Sequence, residues 1–432
     1  MVRLIGRILK TIFRLACPVW LMVGTLSAQC PSRPSAKLAD LQNRLNATLG
    51  QLKSSSPGAQ DASRRAVQEK ALRQLEDLQC AKEISATPEE VTRSPATGTP
   101  LVLVPILFVT DRASISTPID RHRYFGGKRR PDGVSFGEET VTLPAESYQA
   151  GNPVPRGVTV NWEKGTNSGV TVGAPREETQ TQFAAAIHAY AAGRQADQPV
   201  RLMIFVHGFD VTFSEAAAAV ARLSFGIRSD ILPVLVSWPS QGAVTKYWND
   251  EENIEASVER LRPILSFLLS NPDVDEVEVV SHSMGTRLVA RILSELQLQG
   301  ASLAKLTRVT FAAADLYEGE IQGLWPRIRT MPTKGWVFYT SKNDFALLAS
   351  SIVHDATPIG DSRTRVFTLA SVDTVDASGV APMLKGYGHS YVIDNPLLPV
   401  DLRHWIVQGL SPAQRGLVKG TRLPGLFWEI TK

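Results

Sequence analysis

The sequence predicts an α/β fold with a mostly parallel central sheet and helices on both faces, and three observations carry that prediction. The first is a set of short β-branched or apolar runs: LVLVPILFVTD, GVTVNW, RLMIFVHG, LPVLVSW, EVEVVSHS, LTRVTFAAAD, GWVFYTS and RVFTLASVD. The second is that most of the runs after residue 195 are separated by stretches with an apolar stripe at helix spacing. These stretches include ETQTQFAAAIHAYAA, SEAAAAVARLSFGI, NIEASVERLRPILSFLLS and TRLVARILSELQL. Strands that alternate with helices pair in parallel, because each helix carries the chain back across a face of the sheet. The third is an ordinary balance of apolar and charged residues over 432 positions, with no repeat at a fixed period, which suits one large core or two domains.

Ahead of the sheet the chain changes character three times. Arg3, Arg7, Lys10 and Arg14 precede the apolar stretch LACPVWLMVGTL and then Ser27-Ala28-Gln29. That order is an export signal, expected at 1–28 and cut after Ala28, which predicts a periplasmic or secreted protein. An uncleaved inner-membrane anchor is the alternative, although Pro18 and Gly24 interrupt a run already short for a spanning helix. Leucines and alanines then recur every three or four residues on either side of an SSSPG break, so 29–85 reads as a helical hairpin. With Cys17 removed, Cys30 and Cys80 form an even pair at the hairpin's open end, and in an oxidising compartment a Cys30–Cys80 disulfide is expected. A Pro/Thr/Ser-rich linker at 86–99 leads to a catalytic domain over 100–432.

The net charge is only +4, and much of it sits in the first fourteen residues, which argues against a nucleic-acid partner. Neither remaining cysteine lies in a Cys/His cluster, so no metal site and no cofactor are expected. Membrane association would come only through a retained N-terminus, and no protein partner can be inferred.

The chemistry-bearing motif is VVSHSMG at 279–285, between a strand and a helix. A serine in a sharp strand-to-helix turn projects its hydroxyl above the C-terminal edge of a sheet, and small residues must flank it because the backbones crowd there. Ser283 is the candidate nucleophile, with Gly285 small on one side and Ser281 in place of the usual glycine on the other. The plainer alternative is a serine that caps the next helix. Upstream, RLMIFVHGFD is an apolar strand ending in His-Gly. By position its loop supplies one oxyanion donor, the Phe209 amide, and the Met284 amide supplies the other.

Seven histidines compete for the role of base. His207 and His282 belong to their own motifs, with the His282 imidazole expected to point elsewhere, and His122 and His188 precede the serine. Of His354, His389 and His404, the glycine-flanked loop KGYGHSY favours His389, since the order serine, acid, histidine leaves the base last. His404 sits in a helix-like stretch beside Trp405. Two acids remain: Asp344 in SKNDFAL, and Asp315 at the end of VTFAAAD as the alternative. Asp344 is preferred because it follows the later strand, and the other is expected to be a helix cap or loop residue. Trp238, Tyr247 and Trp248 either wall a substrate pocket or simply close the strand and cover the next helix.

Taken together, PILFVTDR, IFVHGFD, SWPSQG, SHSMGTR, SKNDFAL and GHSY occur in an order that resembles a bacterial family of α/β-hydrolases, the uncharacterised esterase/lipase superfamily enzymes. The resemblance spans about residues 100–405 and leaves out the hairpin and the tail after about 410. It implies the α/β-hydrolase fold and a Ser283, Asp344 and His389 triad, but no particular substrate. The function expected is a serine hydrolase, esterase- or lipase-like, acting on a small-molecule or lipid ester through an acyl-enzyme on Ser283. The same groups would serve a thioesterase, amidase or acyltransferase, and a hydrolase-like envelope protein that binds without catalysis is the remaining alternative.

Overall fold

Strands apolar on both faces can lie only in the interior of a doubly covered sheet, and five consecutive ones do. They are β8 (Arg201–Val206), β9 (Leu232–Ser237), β10 (Glu276–His282), β11 (Leu306–Ala312) and β12 (Gly335–Thr340). Before them come β1 (Leu101–Thr110), β2 (Arg112–Ser114), β3 (Phe125–Arg129), β4 (Ser135–Leu143), β5 (Thr159–Asn161), β6 (Thr171–Val172) and β7 (Arg176–Glu178). After them come β13 (Val372–Asp376), β14 (Val418–Lys419) and β15 (Trp428–Glu429). The computed structural model describes residues 38–54, 64–74, 101–117, 123–144, 156, 158–161, 170–195, 197–227, 230–242, 246–380, 388–421 and 425–431.

Among the described residues thirteen strands form one sheet in the order β14-β15-β13-β12-β11-β10-β8-β9-β1-β4-β6, with β5 beside β1 and β7 beside β4. Every pairing from β1 through β9, β8, β10, β11, β12 and β13 to β15 is parallel. Antiparallel pairs finish the two ends, β1 with β4 and β14 with β15. From β8 the chain passes outward to β9, yet β10 returns to the opposite side of β8 and leads on to β11. At such a switch point the connections diverge and leave a crevice at the strands' C-terminal ends.

The helices are α1 (Leu38–Ser54), α2 (64–74), α3 (Gln180–Ala192), α4 (Phe213–Ile227) and α5 (Tyr247–Ser270). They continue with α6 (Gly285–Leu298), α7 (Glu318–Ile328), α8 (Phe345–His354), α9 (Tyr391–Asp394) and α10 (Leu397–Ile406). Buried side chains of α5, α6 and α7 build the core on one face of the sheet, and those of α4 and α10 build it on the other. Helix α5 begins six residues before the predicted stretch, so Tyr247 and Trp248 are helical.

The two N-terminal helices pack onto the first face, where Leu41, Leu45, Leu52, Ala71 and Leu72 join the same buried cluster as the sheet. Gln68 Nε2 donates to the Ile352 and Val353 carbonyls at 3.2 and 2.8 Å, and Arg64 pairs with Asp355 at 2.9 Å. The hairpin thus holds the C-terminal end of α8. Residues 1–28, the 86–99 linker and the Cys30–Cys80 pair lie outside the described residues. No described helix is long and apolar enough to cross a membrane.

Two departures from the sequence prediction have physical causes. RVFTLASVD does not form a strand throughout, because Ser371 adopts φ 66° and the β12 pairing begins only at Val372. Strand β4 was not predicted at all, since Gly137, Glu138, Glu139 and Thr140 interrupt its apolar pattern. Gly137 is required there: a Cβ would collide with the Phe108 ring and the Arg176 carbonyl.

Glu139 is 5% exposed and neither of its carboxylate oxygens has a hydrogen-bond partner among the described residues. Burial pushes its pKa up from 4.5 to about 8. The folded chain therefore holds a proton there that the unfolded chain releases, so stability falls as pH rises from about 4.5 to about 8. Glu139→Met is expected to stabilise the fold at pH 8 by about 1–3 kcal/mol, the usual cost of an unsatisfied buried polar group, with less gain at pH 5. Thermal melts at both pH values check this, and equal shifts at the two would contradict it.

Candidate active site

Ser283 directly follows β10, at the switch point, with φ 54°. A left-handed serine costs about 1–3 kcal/mol, and the surrounding backbone enforces it. Its N–H donates to the Ala312 carbonyl at 2.9 Å, and its carbonyl accepts from Thr286 at 3.0 Å and Asp315 at 3.2 Å. Gly285 is needed where α6 starts, because a Cβ would meet the His207 carbonyl and lie 2.8 Å from that of Val206. Gly208 is needed for the same reason on the facing loop, where a Cβ would lie 2.5 Å from Ser283 Cβ. Ser281, in place of the usual glycine, is the penultimate residue of β10, buried and facing the Thr310 carbonyl, so its small side chain fits.

Asp344 and His389 come together across 45 residues: His389 Nδ1 lies 2.7 Å from Asp344 Oδ2. The other carboxylate oxygen, Oδ1, accepts from the Leu347 amide at 3.0 Å and caps α8. Asp344 is fully buried, so one helix start holds the carboxylate while the carboxylate holds the ring. The opposite ring nitrogen, His389 Nε2, is buried and has no hydrogen-bond partner among the described residues.

His282 faces this site rather than away from it. Its ring packs on that of His389 with centroids 4.4 Å apart, and its Nε2 lies 3.1 Å from the His389 carbonyl. Burial first, and the neighbouring His389 second, lower its pKa to about 3. His282 is therefore neutral and donates Nε2–H to that carbonyl, which ties the histidine loop to the residue before Ser283.

Asp315 is occupied elsewhere. Its carboxylate pairs with Arg287 at 3.2 Å and accepts from Tyr247 and Ser350, each at 2.5 Å. Burial alone would raise its pKa, but Arg287 and those two hydroxyls hold it below the ordinary carboxylate range. Arg287 also pairs with Glu251 at 2.5 Å, and Glu251 in turn with His354 at 2.7 Å. His188, in α3, pairs with Asp273, and His404 lies in α10.

The three aromatics do not share a pocket wall. Trp238 is fully buried beneath the His-Gly loop, with Nε1 donating to the His207 carbonyl at 2.8 Å and its indole stacked on the His207 ring. Tyr247 sends its hydroxyl into the Asp315 cluster while its ring touches Phe209, centroids 5.0 Å apart. Trp248 faces the N-terminal hairpin, under the Arg65 guanidinium.

Sequence reasoning gave no role to Arg112, although VTDR was noted as a motif. Its guanidinium is fully buried at the end of β1 among the β9 and His-Gly loops. An arginine two residues past a long apolar strand was the available signal, but the acceptors of its guanidinium lie 14 to 128 residues away. Among the described residues no group of three or more His, Cys, Asp or Glu could hold a metal ion.

Solved structures similar to this chain include the esterase domain of a Rhodothermus marinus protein, 13% identical, covering 49% of this chain and 87% of that one, TM-score 0.28. A Pyrobaculum calidifontis esterase is 11% identical, covering 53% and 90%, TM-score 0.28. The RedJ thioesterase of Streptomyces coelicolor is 12% identical, covering 54% and 97%, TM-score 0.29. No curated protein matches. The model of one family, described as alpha/beta hydrolase of unknown function (DUF900), matches residues 181–397, and the chain belongs to that family.

Proposed function

We propose that the protein is a serine hydrolase of carboxylic esters, with Ser283 as nucleophile, His389 as base and Asp344 as the acid that orients it. One observation supports this above the others: a buried imidazole bonded to a carboxylate through Nδ1 keeps Nε2 unpartnered among the described residues, and its ring packs on His282, the residue before a left-handed serine. A buried polar atom without a partner is costly, and a proton acceptor waiting for a hydroxyl accounts for it.

In this mechanism Ser283 Oγ bonds to the ester carbonyl carbon as its proton passes to His389 Nε2. The Phe209 and Met284 amides stabilise the oxyanion. Collapse breaks the bond to the alkoxide, which leaves as the alcohol with that proton, and water then repeats the sequence to free the acid and the serine. Asp344 remains ionised throughout and stabilises the imidazolium. Thioester, amide and acyl-transfer chemistry would proceed through the same acyl-serine and are separated by a substrate panel.

The test is labelling with a fluorophosphonate probe together with hydrolysis of p-nitrophenyl esters of increasing chain length. Labelled, active wild-type protein is expected; folded protein inert to both would sink the reading. Gly208→Ala is expected to lower kcat by roughly 100-fold, the scale of one lost oxyanion donor. Its Cβ must push the loop off Ser283. Unchanged kcat would show that the loop is not part of the site.

A further inference from the structure

The oxyanion loop contains a peptide whose two ends face opposite ways. In the trans peptide joining residues 208 and 209, the Gly208 carbonyl and the Phe209 N–H point in opposite directions from one plane. Whatever holds that carbonyl therefore aims that N–H. The carbonyl lies 2.8 Å from His207 Nδ1. Only a protonated Nδ1 can donate to it, so the aim depends on the His207 tautomer.

His207 Nε2 is the nitrogen that decides the tautomer, and it meets Arg112. Arg112 Nη2 lies 3.3 Å from it and Ser237 Oγ 3.0 Å from it. A guanidinium has no acceptor to offer, so Nε2 must accept and the proton of a neutral ring must sit on Nδ1. Ser237 agrees with this, because its Oγ receives Arg112 Nε at 2.8 Å and keeps its own hydrogen for Nε2. The guanidinium is in turn fixed by the Gly126, Ser240 and Val211 carbonyls at 3.1, 3.0 and 2.6 Å. His207 is 1% exposed and Arg112 fully buried, and burial first, then Arg112, keeps the imidazole uncharged.

We propose that Arg112 is a positioning residue for the oxyanion donor: it sets His207 as the Nδ1–H tautomer, which holds the Gly208 carbonyl and so turns the Phe209 amide toward Ser283. The inference rests on the serine hydrolase reading above. It also gives VTDR, HGFD and SW a common purpose, since Trp238 clamps His207 from its carbonyl and ring face.

Two measurements on the full chain test it. In a proton-coupled nitrogen-15 spectrum of histidine-labelled protein, His207 is expected as the Nδ1–H tautomer, and an Nε2–H tautomer overturns the proposal whatever the activity. In kinetics, Arg112→Lys is expected to lower kcat for p-nitrophenyl acetate by about 10- to 100-fold with KM changed less than about threefold. In a protein that melts cooperatively, unchanged kcat overturns the proposal, as does a fall in kcat with the Nδ1–H tautomer undisturbed.

If Arg112→Lys does not fold, the His207 variants decide. His207→Asn can keep an N–H near the place of Nδ1, and His207→Gln cannot, so the asparagine variant is expected to be about tenfold more active. Equal activities overturn the proposal. Where all variants fold, adding Arg112→Lys to His207→Gln is expected to cost nothing further, because both act through one peptide. Wild-type protein inert to esters and to fluorophosphonate sinks the hydrolase reading itself, whereas an active enzyme indifferent to Arg112 sinks only this inference.

Discussion

Ser283→Ala is expected to fold normally and to lose ester hydrolysis by at least about 10⁴-fold, with fluorophosphonate labelling abolished. The size follows from what is removed: no other atom at the turn can form the acyl bond, and triad knockouts in serine proteases cost about 10⁴- to 10⁶-fold. Stability should change by less than about 1 kcal/mol, because the bonds that enforce φ 54° run through the backbone and survive in alanine. Steady-state kinetics beside a thermal melt check both halves. Labelling that persisted in the variant would move the nucleophile elsewhere, and a collapsed melt would make Ser283 structural.

What could be read from the sequence follows a physical divide. Strands β8 to β12 are buried on both faces, so their apolar runs need no partner to be recognised. The serine motif was equally plain, since a small residue at 285 and a strand-to-helix turn leave their mark within seven residues. Strand β4 was hidden because it pairs with β1 near the sheet's end, where Glu138 and Thr140 alternate with buried positions. Contacts between distant residues were harder still. Trp238 and Tyr247 could be read either as a pocket wall or as cover for the strand end and next helix, and nothing local showed that each has a polar end committed to a buried acceptor, His207 and Asp315.

The acids show the same limit from the other side. Both Asp315 and Asp344 follow strands, and the rejected one was expected to be a helix cap or a loop residue; Asp315 does lie in a loop. The cap belongs instead to Asp344, which serves α8 and His389 with different oxygens. Asp315 neutralises Arg287, an ion pair formed with a residue of the serine's own helix. No local pattern distinguishes these roles, because each depends on what the fold brings to the carboxylate.

A pair of isosteric replacements separates them. Asp344→Asn is expected to lower kcat by about 10⁴-fold, the effect of the equivalent change in a serine protease triad. The asparagine oxygen can keep the cap on the Leu347 amide, and its NH₂ group then faces His389 Nδ1. That nitrogen must accept, so the ring proton moves to Nε2 and the imidazole can no longer take the serine proton. Stability should fall by only about 1 kcal/mol, since the cap survives. Asp315→Asn should behave in the opposite sense. It leaves Arg287, 7% exposed at its side chain, with Glu251 as its remaining charge partner, and breaking a buried pair costs about 3–5 kcal/mol. Its folded fraction should still turn over within about tenfold of wild type. Kinetics and melts on the two variants side by side check the assignment, and a catalytic collapse in Asp315→Asn with Asp344→Asn still active would exchange their roles.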